Sequence, residues 1–123
     1  MRMYLNFLPL LVALALPGIL PSHAGVPIMR VVEPDSAKVG DIVEIQGENL
    51  AQDSVTTVYL TDENTDLKVV MIDQTATSIR FRIPPLAKPG RFTIMVLTTD
   101  KPPRLIEEPV KITVLPDTAG SVL

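Results

Sequence analysis

The sequence predicts an all-β domain, an antiparallel β-sandwich of about seven short strands. Three observations predict it. Apolar and polar residues alternate at period two in several stretches, as they do in strands buried on one face. Proline, glycine and small polar clusters interrupt those stretches about every 8–15 residues. No window after residue 24 sustains a helical period.

The first 24 residues stand apart from this pattern. Arg2 supplies a positive start, and Phe7 to Leu16 is apolar apart from Pro9. Pro17-Gly18 breaks the run, and Ser22-His23-Ala24 places small residues three and one before Gly25. This is the layout of a secretory signal peptide cleaved after Ala24. The apolar run is shorter than the roughly 20 residues of a membrane span. Residues 25–123 then form the exported chain, periplasmic or extracellular, with no membrane span left after cleavage. Those 99 residues carry 10 basic and 14 acidic side chains, a net charge of −4. They suffice for one small core.

The strands follow in order. Residues 28–33 (IMRVVE) are apolar and stop at Pro34. In 41–46, Val43 and Ile45 alternate with Glu44 and Gln46 until Gly47. Residues 55–61 (VTTVYLT) are β-branched and aromatic, and the polar TDENTD turn closes them. Residues 67–73 (LKVVMID) precede a QTAT turn. Ile79, Phe81 and Ile83 alternate with Ser78, Arg80 and Arg82 before Pro84-Pro85, which cannot donate to a ladder. Phe92, Ile94 and Val96 share one face of 91–98, and Val110, Ile112 and Val114 one face of 109–115. Residues 116–123 read as a short polar tail. The expected core is Val43, Ile45, Val58, Leu60, Ile79, Phe81, Ile83, Phe92, Ile94, Val96, Val110, Ile112 and Val114. In 28–33 and 67–73 two apolar residues sit side by side, so alternation assigns no face there.

Several of these residues carry a resemblance. Val32-Glu33-Pro34, Ser36, Gly40-Asp41, Val43-Glu44-Ile45 and Gly47-Glu48-Asn49-Leu50 resemble the opening of an IPT/TIG domain. Thr77 to Pro84 resembles that family's alternating strand ended by proline, and Gly90 to Val96 its next, glycine-opened strand. Two features depart from the pattern. Ala37 and Lys38 precede Gly40 where a second glycine is common, and Leu50 replaces the usual phenylalanine. The resemblance implies an immunoglobulin-like sandwich over 25–115. It implies no single function, because such domains serve secreted bacterial enzymes, cell-surface receptors and DNA-binding transcription factors. Gly40 and Gly47 suit positive φ or close backbone approach. Asn49 suits a turn bonded to its own backbone.

The chemistry is sparse. There is no cysteine, and the one histidine, His23, lies in the leader. Thiol and Ser-His-Asp catalysis are therefore excluded from the exported chain, and a zinc or copper site would need carboxylates alone. No phosphate-binding glycine loop is present. The acids fall at turns or on outward strand positions, and a lone sandwich has little room for a cleft. These features predict a chain that is not an enzyme and has no cofactor and no metal. Asp62, Glu63, Asn64 and Asp66 are oxygen donors of the kind calcium uses, but the spacing is not that of an EF-hand loop; a solvated turn accounts for them.

Two surfaces remain. Arg80 and Arg82 share the outward face of one strand, with Lys88 and Arg91 near in sequence, and form a candidate anion patch. Export and net acidity oppose a nucleic-acid partner. Opposite the core, Tyr59, Met95, Leu97 and Leu115 fall outward on three strands expected to be neighbours, a candidate partner surface. The expected function is an exported, non-catalytic binding or structural module acting on a protein partner or on itself. The alternative is a carbohydrate- or cell-wall-associated module, for which Tyr59 is a thin stacking platform. The absence of an internal repeat argues against a repeat array.

Overall fold

The structure, a computed structural model, describes residues 25–117. The leader expected at residues 1–24 and residues 118–123 of the expected tail lie outside the described residues. Among the described residues, nine strands follow in chain order. They are β1 (Ile28–Glu33), β2 (Ser36–Ala37), β3 (Ile42–Glu48), β4 (Val55–Thr61), β5 (Asp66–Lys68), β6 (Val70–Gln74), β7 (Ser78–Arg82), β8 (Gly90–Thr98) and β9 (Leu105–Val114).

They build two sheets, ordered β1-β3-β7-β6 and β2-β9-β8-β4-β5. All pairings are antiparallel except β2 on β9. Two departures from seven runs produce nine strands. After β1 the chain crosses to the other sheet and adds Ser36–Ala37 beside Thr113–Val114. The run 67–73 divides, with β5 on β4 in one sheet and β6 on β7 in the other. Val69, between them, is buried and donates its N–H to the Val58 carbonyl. That crossing explains why two adjacent valines carry no alternation.

The core lies between the sheets. Val43 faces Phe81 and Ile45 faces Ile79 in one. Val58 pairs with Val96, Leu60 with Ile94, and Phe92 with Ile112 in the other. Twelve of the thirteen expected core residues are buried; Val110 is half-buried against the cluster. Met29, Leu50, Val55 and Val69 complete the filling. Each such side chain contributes about 1.5–3 kcal/mol on leaving water. Leu50, at the position where the resemblance led us to expect phenylalanine, is fully buried.

Turn residues act as their backbones require. Gly40 has φ +90°. At Gly47 the β1 backbone comes so close that a Cβ would lie 2.0 Å from the Ile28 carbonyl oxygen. Asn49 has φ +59°. Its side chain, however, donates to the Val26 carbonyl at 3.0 Å rather than to its own turn. It ties the entry segment to the end of β3.

Candidate functional site

The outward face of the five-stranded sheet is built by registered cross-strand rows, the unit by which side chains meet on a sheet. One row is Glu107, Met95, Tyr59 and Lys68. The next toward the β8–β9 loop is Leu105, Leu97 and Thr57. Tyr59, Met95 and Leu97 are half-buried, Thr57 is buried, and Leu105 is 57% exposed. The structure therefore joins Tyr59, Met95 and Leu97 and adds Leu105, which closes the strip on β9. Leu105 precedes the alternating core run of β9, so only its pairing with Leu97 reveals it.

Leu115 is not part of this strip. It follows Val114, which pairs with Gly90, whereas Leu97 pairs with Leu105 at the opposite end of β9. Leu115 instead borders a hollow with Val39, Ala87 and Pro89. Of the four residues expected to lie together, the register joins Tyr59, Met95 and Leu97 and leaves Leu115 apart, with Leu105 beside Leu97 instead.

Toward the other end of the same sheet, the row Lys111, Thr93 and Thr61 floors an open cleft of about 550 Å³. Arg91 and Glu107 border it, as does the 62–64 turn. Lys111 Nζ donates to Thr93 Oγ1 at 3.0 Å, and Arg91 donates to Thr113 Oγ1 at 3.4 Å. These hydroxyls fix the two cations over the sheet.

The acidic turn is held by its own backbone. Asp62 accepts the N–H groups of Asn64 and Thr65, each at 2.8 Å. Those bonds hold its carboxyl below the usual aspartate value. Thr61 Oγ1 donates to Asp66. The two aspartates thus serve the β4–β5 hairpin, and the described residues hold no group of three or more metal-ligating side chains.

The basic group of the sequence is divided. Arg91 lies on the five-stranded sheet, while Arg80 and Arg82 lie on the other. Arg80 pairs with Asp73 at 3.1 Å and sits opposite Glu44. Arg82 donates to the Gly40 carbonyl at 3.0 Å. Arg80 is half-buried and Arg82 exposed, and each has one guanidinium nitrogen engaged by these contacts.

One acid departs from the turn-and-surface pattern. Glu108 is 4% exposed, and its Oε1 accepts the Met29 N–H at 2.8 Å. Burial pushes its carboxyl above the ordinary glutamate value, and the Met29 bond opposes this in part. Counting back by twos from Ile112 places it inward, so the signal was present in the sequence. Three residues, Glu108 to Val110, oppose Ile94 alone between two registered pairs, and this bulge is what half-exposes Val110.

The IPT/TIG domain family matches residues 27–118. The chain belongs to the IPT/TIG family. The match spans both sheets, and the strand order makes this TIG domain an immunoglobulin-like sandwich. No curated protein gives a significant match. Solved structures similar to the chain at low identity include two from Bacteroides. A proposed phosphatase of Bacteroides thetaiotaomicron VPI-5482 is 16% identical, with TM-score 0.51, over 73% of this chain and 18% of that one. SGBP-B of the Bacteroides ovatus mixed-linkage glucan utilization locus, solved with a mixed-linkage heptasaccharide, is 16% identical, with TM-score 0.49, over 85% of this chain and 24% of that one. The TIG domain therefore spans less than a quarter of either protein. Among its described residues, no helix is long and apolar enough to cross a membrane.

Proposed function

We propose that this TIG domain is an exported, non-catalytic binding module that holds a protein partner, a second copy included, against the outward face of its five-stranded sheet. The observation that carries the reading is the continuous strip of Tyr59, Met95, Leu97 and Leu105 across three hydrogen-bonded strands. Apolar side chains gathered on a polar-rimmed sheet face mark interaction surfaces more often than scattered ones do. Glu107 and Lys68 end the central row and supply the polar rim. The non-catalytic part rests on the residue inventory: no cysteine, no histidine after residue 23, and a high-pKa carboxyl that is shut inside the core. Export rests on the leader-like residues 1–24.

The cleft beside the strip favours a second reading, glycan binding, because its floor of threonine hydroxyls, Lys111 and Arg91 can exchange hydrogen bonds with sugar hydroxyls. A Met95→Ser/Leu97→Ser variant distinguishes the two. It should fold with a native-like melting temperature and lose partner capture or self-association, the latter read by light scattering. Unchanged association overturns the protein reading. Binding to defined glycans on an array, lost in Arg91→Ala/Lys111→Ala and kept in Met95→Ser/Leu97→Ser, would establish the alternative.

A further inference from the structure

Glu108 occupies a position that its strand otherwise gives to apolar side chains. It is in phase with Ile112 and Val114, is almost wholly buried, and stands in the β9 bulge. Oε1 accepts the Met29 N–H, while Oε2 meets no donor among the described residues. The bond has a structural consequence. β1 is the edge strand of its sheet and is laddered to β3 along one side. Across its other side, Glu108 supplies the acceptor that no neighbouring strand supplies to Met29.

The charged groups around this carboxyl are directed elsewhere. On β1, Arg30 is exposed and paired with Glu48 at 2.9 Å, and Glu33 is exposed. On β8, Arg91 turns to Thr113, and β2 carries no charged residue. On β9 itself, Glu107 and Lys111 are exposed. Burial and the Met29 N–H are the influences left to act on it.

We propose that Glu108 is a pH-dependent latch on the first strand: the protonated carboxyl fastens β1 to the edge of β9, and the ionised carboxylate lets β1 open more readily. The protonated acid keeps the Oε1 acceptor for Met29 and carries no buried charge. The carboxylate gains hydration only when β1 moves away and water enters. Burial raises the folded-state value above the ordinary 4.5. The latch is therefore fully closed below about 4.5 and weakens as pH rises through the raised value. Opening would withdraw Met29 from the core and bare the edge of β3, which can then pair with another strand.

Amide hydrogen exchange of residues 28–33, corrected for intrinsic rate and followed from pH 4 to 8, tests the latch. In the native protein, protection of Met29 and its β1 neighbours should fall by about tenfold as pH rises. In Glu108→Gln, which keeps an acceptor without a charge, it should stay flat. An equal slope in both proteins, or native protection that rises with pH, overturns the proposal. Should Glu108→Gln fail to fold, the native protein still decides it. The Glu108 carboxyl carbon, followed by NMR, must titrate above the ordinary glutamate range at the midpoint of the protection change. A midpoint at or below that range overturns the proposal.

Discussion

Gln74 shows how one polar side chain can set the geometry of a loop. Its amide donates to the Leu50 carbonyl at 2.9 Å and to the Val55 carbonyl at 3.0 Å. It thereby pins the β3–β4 connection to the end of β6, and both acceptors are partly buried. Gln74→Ala should cost about 1–2 kcal/mol in denaturant unfolding, because two half-buried carbonyls lose their donor. A loss below the error of the measurement would mean that water replaces the amide at no cost. Nothing in the sequence announces this role, since a glutamine before a Thr-Ala-Thr turn reads as solvated. Asn49 was half legible: its turn conformation follows from residue type, but its bond to Val26 joins segments 23 residues apart. Glu108 was legible by phase and was obscured by its charge and by Pro109.

At the scale of the element, β1 and β3 are held together by what Gly47 lacks. The Ile28 carbonyl occupies the space of a Cβ. Gly47→Ala should cost about 2–3 kcal/mol and selectively raise exchange in residues 28–33. A near-native melting temperature would show that the strands part without penalty. The clean strands were the readable ones: β7 and β8 each keep one face inward along their length. The obscure runs are those where the backbone breaks the period. β1 has a register shift between Met29 and Val31, and the 67–73 run changes sheet at Val69. Leu115 was misplaced for a related reason. Alternation gives the face of a strand but not the distance along it, and only the β8–β9 register separates Leu115 from Leu97.

For the whole molecule, acid sensitivity combines opposing groups. Glu108 has a raised value, so its contribution to stability grows as pH falls toward the ordinary glutamate range. Asp62, through the turn N–H groups, and Asp100, through its hydrogen bond from Arg104, have lowered values. Their contributions are present above the ordinary aspartate value and vanish as pH falls through the lowered ones. Thermal unfolding should therefore show a melting temperature that rises from pH 7 toward about 4.5 and falls at lower pH. Glu108→Gln should remove the rise and leave the fall. A native profile that declines steadily from pH 7 would contradict this ordering.

The central claim, a protein partner on the five-stranded face, is tested most directly by site-specific photocross-linking in cells that produce the protein. A photoreactive side chain replaces Met95 in one variant and, as a control on the other sheet, Gln46 in a second. The expected result is a discrete protein adduct, which a second copy of the chain would satisfy, from position 95 alone. Leu97→Ser with Leu105→Ser should abolish it. No adduct at position 95, or equal adducts from both sheets, would contradict the claim.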